Sequence, residues 1–239
     1  MAKVGRTVQA VDRTLGIMEE MAQIGRPATL TEISKKVGLN ISTTHRLLYT
    51  LIAQGYAEQD YITGRYRLGY KAIQIGQSAL LSLDIRREAT PRLERLGEQI
   101  ARSLYLCVRL QEELIVIYRY LIEGQNAAIP PVGGRMPIYS TAPGRLFLNM
   151  QKNSSTEPLW SYYVAETKDD EGCKELVVPI FDHTLRPIGA ITLVSLNDTE
   201  VCQFLPALQS TAWEISRQLG AEGAPGGNRN LGNSYKFGG

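Results

Sequence analysis

Residues 29 to 68 carry the pattern that most constrains how this chain can fold. Thr29 and Glu32 have the spacing of a capping box, which predicts a short helix that begins at Leu30 and ends at Gly38. Asn40 is suited to cap a second helix directly after this turn. The apolar positions of the second helix are predicted to face inward: Leu47, Leu48, Leu51 and Ile52. Two helices closed by a tight turn predict a helix-turn-helix.

The segment after Gly55 changes from a helical to a strand-like pattern. Two short strands are predicted to flank a turn at Thr63 and Gly64. Alternation along the second strand places Arg65 and Arg67 on one side of the ribbon. Such a hairpin predicts the wing of a winged helix-turn-helix, for which double-stranded DNA is the expected partner. We expect the two arginines to contact phosphates or the minor groove.

The N-terminal half of the second helix is the part that enters the major groove in this architecture. Arg46 is the candidate for a bidentate contact to guanine, and hydroxyl side chains suit phosphates or base edges. The candidate DNA contacts on this helix are Ser42, Thr43, Thr44, His45 and Arg46. The alternative for the hydroxyls is simple helix capping, and for His45 a solvated surface position.

A preceding helix is predicted from Val4 to about Gly25 by apolar residues spaced three or four apart. Its expected buried face consists of Val4, Val8, Val11, Leu15, Met18 and Ala22. We expect this face to pack on the other two helices. Arg6 and Arg13 lie on the polar face, where they either touch a phosphate backbone or are merely solvated.

Charge is distributed unevenly along the chain. Residues 1 to 80 hold ten Lys and Arg against six Asp and Glu, whereas the remaining residues hold sixteen against eighteen. The positive excess therefore coincides with the predicted DNA-binding segment. We expect this domain to span residues 1 to 70, followed by a linker helix over 71 to 83 that pairs with its copy in a second subunit.

Residues 84 to 220 are predicted to form an α+β domain with a central antiparallel sheet. A helical stripe from Ile85 to Ile100 precedes alternating strands, and a closing helix follows Val201. The Gly- and Pro-containing run 125 to 145 is predicted to be a loop that leads into a helix near Pro143. Backbone amides at that helix start can hold an anion. Residues 221 to 239 are predicted to be a disordered tail.

Several other functions receive little support from the sequence. The three cysteines, Cys107, Cys173 and Cys202, have neither disulfide-framework nor zinc-site spacing. The two histidines are far apart, no phosphate-binding loop is present, and no nucleophile has a base at a recognisable spacing. We therefore expect no enzyme activity, cofactor or metal. We also expect a cytoplasmic protein without a membrane span or signal peptide.

Four ordered blocks make the chain resemble the IclR family of bacterial transcription regulators over residues 5 to 220. The blocks are residues 29 to 68, the loop GGRMPIYSTAPGR, the segment VVPIFDHTLRPIGAITLVS and the terminal LPALQSTAWEISRQLG. The resemblance implies a winged helix-turn-helix, a dimerising linker helix and a GAF-like effector domain. It also implies a homodimer or homotetramer on a palindromic operator, controlled by a small organic or aromatic acid.

The resemblance also assigns an effector site, at which this chain departs from the family. The implied site residues are Met136, Tyr139, Ser140, Thr141, Ala142, Gly144 and Glu175. Ordinary core packing is the alternative for Met136 and Tyr139, and solvent exposure is the alternative for Glu175. The family often has Cys where this chain has Glu175 and Asp where it has Ala165, and it usually has basic residues in place of Ile41. Residues 146 to 170 are also too few for the usual additional helices.

Two functions are consistent with these observations. The first is a sequence-specific DNA-binding regulator whose operator affinity is modulated by a metabolite in the C-terminal domain. The second is a constitutive DNA-binding regulator whose shortened C-terminal domain only oligomerises. Both predict a protein that binds DNA and self-associates, and they differ in whether a small molecule binds.

Overall fold

The computed structural model describes residues 7–123, 129–152, 163–166, 173–196 and 201–222. The predicted tail beyond residue 222 and the predicted contact Arg6 lie outside the described residues. Contacts divide the chain into two compact units, residues 1 to 80 and 81 to 239, here called the first and second units.

The first unit begins with three helices: α1 (Gln9–Ile24), α2 (Leu30–Val37) and α3 (Ile41–Ala53). The capping box and the turn are confirmed. The Glu32 backbone N–H donates to Thr29 Oγ1 at 3.2 Å, and Gly38 has the left-handed φ of 67° at which glycine is favoured. A two-stranded ribbon follows, β1 (Ala57–Gln59) paired with β2 (Tyr66–Leu68). The ribbon is the predicted wing.

The prediction of the buried face of α1 is wrong, because the buried residues lie one position before the predicted ones in the C-terminal half of the helix. Val8, Val11 and Leu15 are at least half exposed, whereas Ile17 and Met21 are the buried residues of this helix. The helix carries two neighbouring apolar stripes, and the stripe that packs on α2 and α3 lies on its C-terminal half. The spacing rule found the longer stripe, which does not face the core of this unit.

Helix α4 (Tyr70–Leu81) covers most of the predicted linker and has no buried residue. Large apolar side chains are exposed along it: Tyr70, Ile73, Ile75 and Leu81.

The second unit opens with α5 (Asp84–Ile100) and contains a six-stranded antiparallel sheet of order β5-β4-β3-β8-β7-β6. Its strands are β3 (Leu104–Leu110), β4 (Glu113–Tyr120), β5 (Arg135–Pro137), β6 (Tyr163–Glu166), β7 (Cys173–Phe181) and β8 (Pro187–Leu196). Helices α6 (Ala142–Lys152) and α7 (Leu205–Gln218) complete the unit, α7 directly after a 3₁₀ turn over Val201–Phe204. The predicted α+β class and antiparallel sheet are confirmed.

One strand was missed within the run predicted to be a loop. Strand β5 pairs with the start of β4, so that Met136 lies opposite Leu114. Three residues among prolines and glycines give too short an alternation to be read as a strand. The strand matters because it holds the chain against the sheet just before α6.

The two faces of the sheet are covered by different elements. Strand residues of alternating position face α5 and α7, which contact each other. The opposite face, here called the α6 face, forms a core with α6 and the segment before it. The α6 face includes Met136 and Ala142, two of the residues that were implied as the effector site.

Candidate DNA-binding surface and effector site

Asn40 organises the start of α3. Its side-chain oxygen accepts the Thr43 backbone N–H at 2.8 Å and the Ser42 hydroxyl at 3.0 Å. The first turn of α3 is therefore capped as predicted. The same cap fixes the orientation of the Ser42 side chain, whose hydroxyl donates to Asn40. An ordered first turn presents the following side chains in a fixed orientation.

Thr44 is not available to DNA. Its side chain is 0% exposed, and its hydroxyl donates to the Asn40 carbonyl at 3.0 Å. Thr44 lies one helical step away from the outer face, and that step turns its side chain into the interior of the first unit. The prediction treated three consecutive hydroxyl residues alike, although a helix cannot expose all three on one side.

The remaining predicted contacts on α3 form its outer face. Ser42, His45 and Arg46 are exposed and Thr43 is half-buried. Within the described part of the chain, the Arg46 guanidinium is in no ion pair, so its donors are available. Tyr49 is also exposed and continues this face one turn further on. Sequence reasoning missed it, although its i+3 spacing from Arg46 could have indicated it.

The arginines of the wing are engaged within the protein. Arg65 donates from Nη1 to the Pro27 carbonyl at 3.2 Å. Arg67 donates from Nε and Nη2 to Glu58 Oε2 at 3.0 and 2.8 Å, and this ion pair raises the pKa of Arg67. Both arginines are on the predicted exposed side of the ribbon. Their guanidinium donors are nevertheless already partly used in hydrogen bonds within the protein, which leaves fewer of them for DNA phosphates.

Arg13 is exposed on α1 and lines a cleft of mixed charge in the first unit. The cleft is lined by Asp12, Arg13, Gly16, Glu19, Glu20, Lys36, Val37 and Leu39. Three carboxylates share the cleft with Arg13, so this surface is not a simple cationic patch.

Side chains at the start of α6 form hydrogen bonds within the protein. The Thr141 hydroxyl donates to the Pro137 carbonyl at 2.8 Å and accepts the Gly144 backbone N–H at 3.3 Å. Tyr139 is exposed and its hydroxyl donates to Glu112, while Ser140 is also exposed. The side chains of Tyr139 and Ser140 therefore lie at the surface, away from the α6 face.

The other implied effector residues do meet on the α6 face. Met136 and Ala142 belong to one buried core with Tyr105 and Cys107 of β3. The backbone of Ile138 lies against Gly144 so closely that a Cβ would collide with it. Gly144 therefore contributes close packing between α6 and the preceding chain.

Polar groups converge within this otherwise apolar face. The buried Tyr105 hydroxyl donates to Glu175 Oε1 at 3.1 Å across β8. Thr192, which lies opposite Tyr105 in the register of β3 and β8, is fully buried. Its hydroxyl lies beside the Tyr105 hydroxyl, but within the described residues it makes no hydrogen bond of normal geometry. Glu175 is half-buried, so it faces the interior rather than open solvent.

Burial and the nearby charge change the acidity of this cluster. Burial, followed by the charge of Glu175, raises the pKa of Tyr105 well above its usual value. The same two causes raise the pKa of the Cys107 thiol. Both groups are therefore protonated at neutral pH, and the thiol is not a reactive thiolate. No pattern in the sequence connects Tyr105 with Glu175, which lies 70 residues away.

Features of other protein classes are absent from the described ranges. No group of three or more His, Cys, Asp or Glu side chains could hold a metal ion there. No helix in those ranges is long and apolar enough to span a membrane.

Two protein-family models match the chain. The IclR helix-turn-helix domain matches residues 10–61, and the C-terminal domain of bacterial transcriptional regulator IclR matches residues 77–171. Both models describe regulators, which confirms the expectation that the chain is not an enzyme. The first match lies within the first unit, and all but the first four residues of the second match lie in the second unit.

Two curated relatives match over most of their length. The HTH-type transcriptional regulator XynR of Escherichia coli is 29% identical over 248 aligned positions, which cover 89% of this chain and 98% of the relative. The Escherichia coli transcriptional repressor IclR is 27% identical, covering 89% and 90%. The XynR alignment is longer than the 239-residue chain, so that relative has residues this chain lacks.

Solved structures share the fold. An IclR regulator from Alicyclobacillus acidocaldarius has a TM-score of 0.74 at 22% identity, covering 90% of this chain and 100% of that one. An IclR homologue from Microbacterium hydrocarbonoxydans, solved in complex with 4-hydroxybenzoate, has a TM-score of 0.75 at 20% identity, covering 88% and 99%. At these identities the likeness establishes the fold.

Proposed function

Because this chain belongs to the IclR family of DNA-binding transcriptional regulators, we propose that it binds a specific operator through α3. Binding of a small metabolite then lowers or raises its affinity for that operator. The observation that supports the DNA part is the capped, exposed face of α3, whose Arg46 is in no ion pair with any described residue. The proposed contacts are Ser42, Thr43, His45, Arg46 and Tyr49, with Arg6 and Arg13 as proposed backbone contacts. Thr44 is left out because it is buried.

Arg46 is the group that reads sequence in this proposal. A guanidinium free of internal carboxylates can form two hydrogen bonds to guanine in the major groove, whereas a hydroxyl can form one with any of several bases. Arg46→Ala is expected to weaken binding to the operator by about 1–3 kcal/mol and to change binding to random DNA little.

Duplexes selected from a random pool by the wild-type protein, followed by fluorescence anisotropy titrations, test this expectation. Arg95→Ala is the matched control, because Arg95 is an exposed arginine on α5 of the second unit. Equal losses on selected and scrambled duplexes would assign Arg46 to the phosphate backbone instead. Failure of the wild-type protein to enrich any duplex would contradict the proposed function itself.

We place the effector on the α6 face, beside Met136, Ala142, Tyr105, Thr192 and Glu175. The Thr192 hydroxyl lies beside the Tyr105 hydroxyl and makes no hydrogen bond of normal geometry among the described residues. It can therefore donate a hydrogen bond to a ligand, or accept one from it, on this face. Glu175 disfavours a carboxylate beside it and favours a ligand group that donates a hydrogen bond.

We therefore propose an effector that presents a hydroxyl to Glu175 and Thr192, as an aromatic or aliphatic hydroxy compound does. Calorimetry with 4-hydroxybenzoate, 4-hydroxybenzyl alcohol and benzoate separates the contributions of hydroxyl and carboxylate. The hydroxylated compounds are expected to bind more tightly than benzoate, and Glu175→Gln is expected to narrow that difference. Preferential binding of benzoate would refute the proposed orientation.

Modulation requires that the bound compound change operator affinity, and by linkage the operator must change affinity for the compound equally. Anisotropy titrations with and without a saturating compound measure this coupling. If no compound binds, the constitutive alternative is favoured, in which the second unit serves only to assemble copies of the chain.

We also propose that the protein is at least a homodimer. Exposed apolar side chains on α1 and α4 are available to a second copy: Val8, Val11, Leu15, Tyr70, Ile73 and Ile75. Burial of such side chains is the main driving force of association. Ile73→Glu is expected to yield monomers by analytical ultracentrifugation, while Leu110→Glu, at an exposed apolar site of the second unit, leaves the assembly unchanged.

A further inference from the structure

The turn of the wing presents its two largest side chains entirely to solvent. Tyr61 and Ile62 are 103% and 95% exposed, the most exposed of the large apolar residues in the described ranges. They occupy a turn, where small and polar residues normally serve. Single exposed apolar residues are common, but two adjacent ones at the tip of a wing require an account.

The turn is held rigidly by polar contacts that do not involve these two side chains. Asp60 Oδ1 accepts the Ile62 and Thr63 backbone N–H groups at 2.9 and 2.7 Å and the Thr63 hydroxyl at 3.0 Å. Gln59 donates from Nε2 to the Gly64 carbonyl at 3.1 Å. The hydrogen bonds from Thr63 and Ile62 lower the pKa of Asp60. The apolar pair is therefore displayed on a preorganised turn.

The charges of the wing do not favour a phosphate clamp. Residues 57 to 68 contain two acidic and two basic side chains. Arg67 forms an ion pair with Glu58, and Arg65 donates a hydrogen bond to the Pro27 carbonyl. The Asp60 carboxylate accepts hydrogen bonds from residues of the turn. What the wing offers a partner without rearrangement is apolar surface.

We propose that Tyr61 and Ile62 enter the minor groove beside the operator half-site and contact sugars and base edges there. The proposal rests on the proposed DNA-binding function and replaces the arginines as the principal contacts of the wing. Proteins frequently insert apolar side chains into the minor groove, where they partly unstack and bend the duplex. Phosphate contact through Arg65 and Arg67 is secondary in this arrangement.

The test is a double variant, Tyr61→Ser with Ile62→Ser, titrated against a duplex selected by the wild-type protein. Affinity is expected to fall at least about tenfold, as loss of about 1.4 kcal/mol of contact implies. The slope of log K against log salt is expected to stay unchanged, because apolar contacts release no counterions. Thermal stability is expected to be unchanged, since neither side chain is buried.

The matched control is Leu110→Ser with Leu121→Ser, which removes two similarly apolar exposed side chains from the second unit. This control is expected to bind as the wild type does. Unchanged affinity of the wing variant would overturn the proposal, and so would a loss accompanied by a shallower salt slope. Loss of self-association with intact DNA binding would also overturn it, by assigning the pair to a protein interface.

Base substitution in the duplex supplies an independent readout. Inosine–cytosine pairs keep the minor-groove surface of A·T pairs, whereas G·C pairs add an amino group there. In the sequence flanking the half-site, inosine–cytosine is expected to be tolerated and guanine–cytosine to weaken binding by the wild type only. Equal effects on wild type and wing variant would refute minor-groove entry while leaving operator binding by α3 intact.

Discussion

The cap of α3 allows stability and DNA affinity to be separated at one position. Asn40→Ala removes the acceptor of the Thr43 N–H and the Ser42 hydroxyl, while the Asn40 carbonyl still accepts from Thr44. Only the side-chain part of the cap is lost. The expected cost is about 1 kcal/mol, or a fall in Tm of roughly 4–8 °C for a unit of this size.

Asn40→Asp provides the matched comparison. Aspartate caps as well as asparagine and interacts favourably with the N-terminal end of the helix, so the Tm is expected to stay near that of the wild type. The added negative charge at the DNA-facing end of α3 is expected to weaken DNA binding, most strongly at low salt. The alanine variant is expected to have a lower Tm than the wild type without a change of charge. The aspartate variant is expected to keep the wild-type Tm, but its added negative charge is repelled by the DNA phosphates.

Far-UV circular dichroism reports the melting of both units, and tryptophan fluorescence provides a reference for the second unit. Trp160 and Trp213 both belong to the second unit, so tryptophan fluorescence follows that unit alone. Asn40→Ala is expected to lower the temperature of the dichroism transition of the first unit and to leave the fluorescence transition in place. Equal melting of the alanine and aspartate variants would refute the role given to the cap.

Three other substitutions or conditions test the packing and the wing. Gly144→Ala is expected to destabilise the second unit by about 1–3 kcal/mol in urea unfolding, because the new Cβ would collide with the Ile138 backbone. Gly76→Ala is the control and is expected to cause no loss of stability, because Gly76 has open space around it. Leu93→Ala, at a fully buried site, is expected to cost about 2–5 kcal/mol by the same measurement. The Asp60 carboxyl has a lowered pKa in the folded wing, chiefly because the Thr63 backbone and hydroxyl donate to it. Its stabilising contribution is therefore present above the ordinary carboxyl pKa and lost as pH falls through the lower folded value, so NMR shifts of the wing amides should change only below about pH 4.

Local chemistry was readable from the sequence wherever one element determines it. The caps at Thr29 and Asn40 and the stripe on α5 depend on spacing within a single helix, and the structure has them as predicted. The choice between two apolar stripes on α1 depends instead on where α2 and α3 lie. Spacing alone could not supply that information.

The candidate sites show the same division. That Arg65 and Arg67 share one side of the wing follows from alternation, but their engagement with Pro27 and Glu58 depends on tertiary contacts. The meeting of Tyr105 with Glu175 depends on the pairing of β3 with β8 and of β8 with β7. Such pairings join residues far apart in the chain, and local patterns do not determine them.

The position of β3 at the middle of the sheet has a consequence for synthesis of the protein. Strand β3 pairs with β4 immediately but waits for β8, so Leu104 meets Leu193 only after the intervening residues have been made. At typical translation rates this delay is about 5–20 s. During that time the edge of β3 is unpaired and open to misassociation with other nascent chains. The DNA-binding unit, complete by residue 80, can fold on the ribosome well before the part proposed to control it exists.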